Sequence, residues 1–215
     1  MTKTRVLEAC IETKLEAVNA AMMGANQLEV CSTLSEDGLT PETNTLCDIL
    51  SSVKVPCKVM IRSRPGNFYY SHEEVAVMID QIQQLKAYKI EGFVFGALTK
   101  DANGVISIDM KAVYQLCKAA SPLHVTIHKA IDQCSDILTE IDRLQQISNI
   151  RFVLSSGGKE TAALGADMLL KMKEKAGTSL HIIAAGSITP ENIEAVATNT
   201  GISYFHGRRI LGSLL

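Results

Sequence analysis

Short apolar runs alternate along the chain with longer segments in which apolar residues recur at helical spacing. Eight of the short runs predict strands, and the segments between them predict amphipathic helices. Val75, Met78, Ile82 and Leu85 show the helical spacing in one of these segments. The predicted strands are residues 6–11, 27–32, 57–62, 92–98, 124–131, 151–156, 181–186 and 204–206.

This alternation predicts an α/β fold in which successive strands pair in parallel through right-handed crossovers. Eight such units can close into a (β/α)8 TIM-type barrel. The alternative is an open doubly wound sheet, which often has a G-x-G-x-x-G turn after its first strand, but Ile11-Glu12-Thr13 stands there instead. We therefore expect one compact barrel domain over residues 1–215. Only residues 207–215 follow the last predicted strand, so the eighth helix should be truncated.

Four of the predicted helices have recognisable start signals. Thr13-x-x-Glu16 and Ser71-x-x-Glu74 have the spacing of capping boxes, in which two side chains satisfy backbone N–H groups of the first turn. Thr40-Pro41 and Thr189-Pro190 place a proline at the first helical position, which needs no N–H donor.

The composition is that of an ordinary globular protein and argues against several classes of partner. The formal net charge is −2 and the pI is near 6.2. Nucleic-acid binding is not expected, because it needs a basic surface that neutralises phosphates. Residues 1–5 are mostly polar, and Glu8 and Glu12 interrupt the next apolar stretch, so we expect no signal peptide, no membrane span and a cytoplasmic location. The sequence leaves open whether copies of the chain form a homo-oligomer.

Several strands carry polar side chains on the face that should point into the barrel. Alternate residues of a barrel strand face either the surrounding helices, where the environment is dry and apolar, or the lumen. A charged group in a dry interior is costly without a partner, so the inward charges must pair or face water at the C-terminal strand ends, where barrels place their active sites. The predicted inward set is Glu8, Cys10, Glu29, Cys31, Met60, Arg62, Thr126, His128, Ser155 and His206.

Two interpretations of the inward charges remain open. In the functional one, Glu8, Glu29 and His128 are catalytic acid–base groups, and Arg62 holds the substrate. In the structural one, Arg62 bridges Glu8 and Glu29, and the network only fills the lumen. Barrel lumens are usually filled by branched apolar side chains, so this much polarity favours a functional site.

Glycine-rich loops after two predicted strands are candidate anion-binding sites. Ser155-Ser156-Gly157-Gly158 ends the sixth strand, and Gly186-Ser187 follows the seventh just before a helix. Free N–H groups in such loops attract anions, although tight turns that need glycine are the plainer explanation. Arg62 and Arg64 close the third strand and could clamp a carboxylate or phosphate. Alternatively, Arg62 forms an ion pair with Glu29, and Arg64 is a solvated surface residue.

The cysteines form no C-x-x-C pair, but two of them should face each other. Cys10 and Cys31 lie inward on adjacent strands, whose backbones are about 4.8 Å apart. Two thiols without obvious third and fourth ligands suit Cu(I) better than tetrahedral zinc, and Met60 could add a thioether. A buried free cysteine more often acts as a small hydrophobic residue, so spacing alone leaves both options open.

These motifs resemble those of the CutC family over nearly the whole chain. Glu8-Ala9-Cys10 is similar to the family's E-V-C, and residues 28–32 resemble I-E-L-C-S. Residues 59–68 resemble V-M-I-R-P-R-G-G-D-F, residues 127–132 resemble F-H-R-A-F-D, and residues 155–158 resemble T-S-G-G. The sequence departs from the pattern in two places: residues 184–187 replace P-G-G-G, and Lys129 stands where arginine is common.

The resemblance implies a cytoplasmic barrel that takes part in copper homeostasis, with Cys10 and Cys31 as Cu(I) ligands and a copper ion as the partner. The rival hypothesis is a barrel enzyme acting on a small phosphorylated or carboxylated substrate. In that case the Glu, His and Arg residues named above would carry out catalysis and bind the anionic ligand. The sequence does not decide whether the protein is an enzyme.

Overall fold

The computed structural model describes residues 5–215 and confirms the predicted barrel; residues 1–4 of the expected domain lie outside the described residues. The strands are β1 Val6–Ile11, β2 Gln27–Val30, β3 Cys57–Met60, β4 Gly92–Phe95, β5 Leu98–Lys100, β6 Ile106–Ile108, β7 His124–Ile127, β8 Ile150–Ser155, β9 His181–Ala184 and β10 Tyr204–Gly207. Eight of them form a closed parallel ring in the order β1, β2, β3, β4, β7, β8, β9 and β10, and β10 pairs with β1. β5 and β6 form a separate antiparallel hairpin.

Helices surround the ring and pack against their neighbours. In the described chain they are α1 Lys14–Met22, α2 Thr43–Ser52, α3 His72–Leu85, α4 Met110–Ala120, α5 Ile137–Leu144, α6 Ala166–Ala176 and α7 Ile193–Thr200. No α-helix follows β10 within residues 208–215, where residues 208–211 form a turn. None of the helices in residues 5–215 is both long enough and apolar enough to span a membrane.

Two of the predicted helix starts are confirmed and two are displaced. Thr13 and Ser71 make the capping boxes that the sequence predicts. α2 begins two residues after Pro41, which lies outside the helix, and α7 begins three residues after Pro190, which opens a turn. Asn192 precedes α7, and its side chain accepts a hydrogen bond from the Thr189 N–H that holds this turn.

β4 and β7 end earlier than predicted, and both ends shape the lumen. After β4 the chain leaves the ring and forms the β5–β6 hairpin. β7 ends at Ile127, because the His128 side chain accepts a hydrogen bond from the Ala130 N–H and caps a short 3-10 helix over Lys129–Gln133. A Cβ atom at Gly96 would lie only 2.8 Å from the His128 ring, so glycine lets the ring occupy this position.

The division of the strands into a helix face and a lumen face follows the predicted alternation. Burying each of the larger outward side chains contributes about 1.5–3 kcal/mol to folding. Parallel register places Glu8 opposite His206 and Cys10 opposite Glu29, so polar inward groups of adjacent strands become neighbours. The fully buried outward residues are Ala9, Ile11, Leu28, Val30, Val59, Ile61, Val125 and Ile127.

Candidate metal and ligand site

A cavity of about 640 Å³ opens at the C-terminal ends of the barrel strands. This is the end at which barrel enzymes place their active sites, and the volume is that of a small-molecule site. Its wall contains many of the residues predicted from sequence. Among them are Cys10, Glu29, Arg62, His128, His206 and the Gly186-Ser187 loop.

Two thiols meet at the wall of this cavity. The Sγ atoms of Cys10 and Cys31 are 3.7 Å apart, and both side chains are buried. One oxygen of Glu29 and the two sulfurs all lie within 4.8 Å of one another. Met60 and Val94 form an apolar cluster with the cysteines. The thiols therefore face each other, as their strand positions predict, in a site shielded from water on its inner side.

The neighbours of the thiols shift their pKa values in opposite directions. The hydrogen bond with Cys31 and the neighbouring His206 lower the pKa of Cys10 to about 5, although burial opposes this shift. The same hydrogen bond and burial raise the pKa of Cys31 well above its ordinary value. Burial also raises the pKa of Glu29 to about 8, against the attraction of the His206 ring. The hydrogen bond between them therefore favours the thiolate on Cys10 and the thiol on Cys31.

A chain of charged groups lies behind the thiol pair. Lys58 Nζ is 2.7 Å from Glu8 Oε2, Glu8 Oε1 is 3.0 Å from His206 Nδ1, and His206 Nε2 is 3.5 Å from Glu29 Oε2. Burial alone would raise the pKa of Glu8, but Lys58 and His206 lower it to about 2. Burial alone would lower the pKa of His206, but Glu29, Cys10 and Glu8 raise it well above its ordinary value.

Lys58 was absent from the inward set predicted from sequence. It lies two residues before Met60 on β3, so strand alternation alone identifies it as inward. In the structural interpretation, Arg62 bridges Glu8 and Glu29. In the structure, Lys58 takes part of this role, because it pairs with Glu8. Glu8 itself does not line the cavity, because Lys58 and His206 enclose its carboxylate.

Arg62 lines the cavity and connects two loops at its mouth. Its Nη1 donates hydrogen bonds to the carbonyl oxygens of Glu36 and Gly38 at 2.6 and 3.1 Å, and its Nη2 donates to the Gly66 carbonyl at 2.9 Å. The guanidinium carbon lies 5.0 Å from the centroid of the Phe68 ring. These contacts tie the loop after β2 to the loop after β3.

His128 is a neutral residue in the cavity wall. Its Nδ1 accepts a hydrogen bond from the Ala130 N–H at 3.2 Å, so the ring proton lies on Nε2. Burial, together with the positive charge of Arg62, lowers the pKa of His128 to about 3. The ring also packs against Phe68, with 4.7 Å between centroids.

The buried neutral state of His128 predicts a pH dependence of stability. Its folded pKa of about 3 lies below the ordinary 6.5, so the unfolded chain binds the proton first as the pH falls. The resulting loss is small above pH 7 and reaches about 2 kcal/mol of unfolding free energy at pH 5. Urea unfolding at pH 7 and at pH 5 measures this loss. Between the two, the free energy of unfolding of His128→Phe should fall by about 2 kcal/mol less than that of the wild type.

The control for this measurement is His72→Phe. His72 is an exposed residue at the start of α3, so this variant should keep the pH dependence of the wild type. If His128→Phe and His72→Phe lost the same stability between pH 7 and pH 5, the neutral buried state of His128 would be wrong.

Arg64 lies away from the cavity. Its guanidinium pairs with the Glu74 carboxylate and donates hydrogen bonds to the carbonyl oxygens of Asn67 and Tyr69 at 3.0 and 2.7 Å. These bonds fasten the loop after β3 to the first turn of α3. Because its donors are occupied and it does not line the cavity, the geometry speaks against the predicted anion-binding role of Arg64.

The glycine-rich loop after β8 binds a carboxylate of the chain itself. Asp132 accepts hydrogen bonds from the backbone N–H groups of Ser156 and Gly158, each at 2.9 Å, and from the hydroxyls of Ser155 and Ser156. The Gly157 N–H donates to the Ser155 hydroxyl at 2.8 Å. Neither glycine lines the cavity. The geometry therefore speaks against an external anion at Gly157 and Gly158, and Asp132 was not among the residues predicted from sequence.

Gly186 and Ser187, after β9, do line the cavity. Both have positive φ angles, 97° and 56°, and the Ser187 carbonyl accepts a hydrogen bond from Asn192 Nδ2 at 2.7 Å. A Cβ atom at Gly186 would lie 3.0 Å from that of Ser156, so the β8 and β9 loops pack closely there. This loop stays a candidate contact for an anionic ligand.

Sequence comparisons relate the chain to proteins connected with copper. A family model described as the CutC family matches residues 5–211. The copper homeostasis protein cutC homolog of Homo sapiens is 36% identical over 201 residues, which are 94% of this chain and 72% of that protein. The family protein CutC of Pasteurella multocida is 37% identical over 93% of this chain and 80% of its own length.

Solved structures show the same relationship. The crystal structure of the CutC protein from Streptococcus agalactiae matches with a TM-score of 0.86 at 28% identity, covering 96% of this chain and all of that one. QR15, an aldolase, has a TM-score of 0.65 at 10% identity, over 100% of this chain and 95% of its own, and shares the barrel fold alone. The sequence and structural matches together show that this chain belongs to the CutC family.

Proposed function

We propose that this protein binds Cu(I) through the thiols of Cys10 and Cys31 and serves copper homeostasis in the cytoplasm. The observation that carries the proposal is the 3.7 Å separation of the two Sγ atoms at the wall of the strand-end cavity. The name of the human relative supports copper as the metal. All six cysteines are free thiols, the state that a reducing cytoplasm maintains.

The donor chemistry of the site fits a soft ion. Thiolate sulfur prefers Cu(I) to hard cations, and Met60 places a further soft atom in the same cluster. Among the His, Cys, Asp and Glu side chains of the described residues, those that come together here as ligand atoms are Cys10, Glu29 and Cys31. A structural zinc site is normally closed by four ligands, so the set is incomplete for zinc and sufficient for an ion of low coordination number.

The position of the thiols suits entry from the mouth of the barrel. Cys10 lines the cavity, whereas Cys31 is completely buried behind it. Val94 and Leu34 pack against the same cluster and close its apolar side. An incoming ion would therefore reach Cys10 first and would then be shielded from water by the side chains around Cys31.

Competition between the reduced protein and a chromophoric Cu(I) chelator tests the proposal. The wild type should bind one Cu(I) ion per chain. The Cys10→Ser, Cys31→Ser double variant should bind at least about 100-fold more weakly, because the loss of residues that merely support metal ligands already costs about 10–100-fold. Thermal unfolding of the variant should remain cooperative, since serine is close in size to cysteine.

A second double variant serves as the matched control. Cys47→Ser, Cys117→Ala also removes two thiols, but neither belongs to the cluster at the cavity. It should keep the wild-type affinity for Cu(I). Equal affinities of the two double variants would exclude Cys10 and Cys31 as ligands, and tighter binding of zinc than of Cu(I) would contradict the choice of metal.

A further inference from the structure

Two buried donors in the cavity wall lack partners. The Nε atom of Arg62 and the Nε2 atom of His128 are buried, and neither has a hydrogen-bond partner among residues 5–215. Both side chains line the cavity and both lie against the Phe68 ring. An unpaired buried donor costs folding free energy, so two of them beside one cavity require an explanation. A ligand that accepts hydrogen bonds from both would supply one.

The remaining donors of Arg62 suit a carboxylate. A guanidinium has five N–H groups, and hydrogen bonds to Glu36, Gly38 and Gly66 use three of those of Arg62. The Nε–H and one N–H of Nη2 remain. Two donors on one planar guanidinium match the two oxygens of a planar carboxylate.

His128 adds a donor of a different kind. Because its Nδ1 accepts from Ala130, its Nε2 carries hydrogen and donates without bringing a charge. A neutral donor beside a charged one suits an uncharged oxygen next to a carboxylate, such as a carbonyl or hydroxyl group. A phosphate is less well matched, because Asp132 already occupies the amides of the β8 loop.

We propose that the cavity binds a small 2-oxo or 2-hydroxy carboxylic acid, with its carboxylate on Arg62 and its second oxygen on His128. The volume of about 640 Å³ accommodates a ligand of this class. Phe68 lies against both donors, so the ligand displaces its ring. This site goes beyond Cu(I) binding and does not depend on it.

Calorimetric titration with pyruvate, lactate, propionate and inorganic phosphate tests the proposal. Pyruvate or lactate should bind more tightly than propionate, which has the carboxylate but lacks the second oxygen, and phosphate should bind most weakly. His128→Phe should weaken binding of the preferred acid about tenfold or more, the effect of losing one hydrogen bond to a polar ligand. The exposed His72→Phe control should bind like the wild type.

Nitrogen-15 spectra of the histidine rings provide a readout that a purely structural role would not change. The Nε2 signal of His128 should shift when the preferred acid is added, whereas its Nδ1 signal should stay that of an unprotonated acceptor. His128 carries this test because Arg62 also holds two loops together, and variants there risk misfolding. The site is refuted if pyruvate and lactate both fail to bind at millimolar concentration, if phosphate binds most tightly, or if His128→Phe binds normally.

The two proposals fail independently. The Cys10→Ser, Cys31→Ser variant should still bind the preferred acid, and His128→Phe should still bind Cu(I) with wild-type affinity. If removal of the thiols abolished acid binding in a folded protein, a separate carboxylate site would be wrong, whatever the outcome of the copper titration.

Discussion

Lys58→Met is expected to lower the free energy of unfolding by about 3–5 kcal/mol, because it leaves the buried Glu8 carboxylate without its main partner. Lys58 and Glu8 are each only 2% exposed at the side chain and lie 2.7 Å apart. Methionine keeps most of the aliphatic stem and removes the ammonium group, which lies 4.0 Å from the centroid of the Phe152 ring, so the loss reports chiefly on charge. Urea unfolding at pH 7 measures the effect.

An exposed ion pair of the same length provides the control. Lys175 and Asp142 are also 2.7 Å apart, but their side chains are 40% and 53% exposed. Lys175→Met should therefore change stability by less than about 1 kcal/mol. Adding Glu8→Gln to Lys58→Met should recover part of the loss, because the unpaired charge is then removed. Similar losses in Lys58→Met and Lys175→Met would show that burial does not strengthen the pair.

Asp132→Ala should destabilise the protein by about 3 kcal/mol or more, because it leaves the N–H groups of Ser156 and Gly158 and the hydroxyl of Ser155 without their carboxylate acceptor. The vacated loop then has the properties of an anion site. Acetate should enter it and restore part of the stability in proportion to its concentration. Thermal unfolding at constant ionic strength, with sodium acetate replacing sodium chloride, measures this rescue.

Asp136→Ala is the matched control. Asp136 also accepts hydrogen bonds from two backbone N–H groups, those of Leu138 and Thr139, but it caps α5 at the surface. Its loss should cost about 1 kcal/mol, and acetate should not reverse it, because water replaces the cap. Rescue of both variants to the same extent would mean that acetate acts as a general solute rather than as an occupant of the β8 loop.

The barrel and the facing thiols could be predicted because both depend on the period of the strands. A two-residue repeat assigns Cys10 and Cys31 to the lumen once the strands are recognised, and parallel pairing makes them neighbours. The same rule places Lys58 in the lumen, although the side chains beside it in this short strand are apolar. The helix starts at Thr13 and Ser71 were predictable because a capping box is a pattern of four consecutive residues that can be recognised in the sequence.

The hydrogen-bond and ion-pair partners of the loop residues could not be predicted. They depend on the path of the loops, and loops have no repeating sequence pattern from which that path can be derived. Arg64 is close to Arg62 in sequence, yet it turns to Glu74 while Arg62 faces the cavity. The amides near Gly158 look free in the sequence, but a carboxylate 26 residues earlier, in the loop after the neighbouring strand β7, reaches them. Whether a donor is free for a ligand is therefore a property of the folded loops, not of the motif.

The closure of the ring between β1 and β10 affects the order in which the site is assembled during synthesis. Cys10 leaves the ribosome early, whereas His206, which holds Glu8 and Glu29 in place, belongs to the last strand. Chains are made from the N-terminus, so the two thiols emerge long before their charged surroundings exist. A nascent chain thus carries the two thiols without the finished site, and the complete cluster is present only on chains that have been translated through β10.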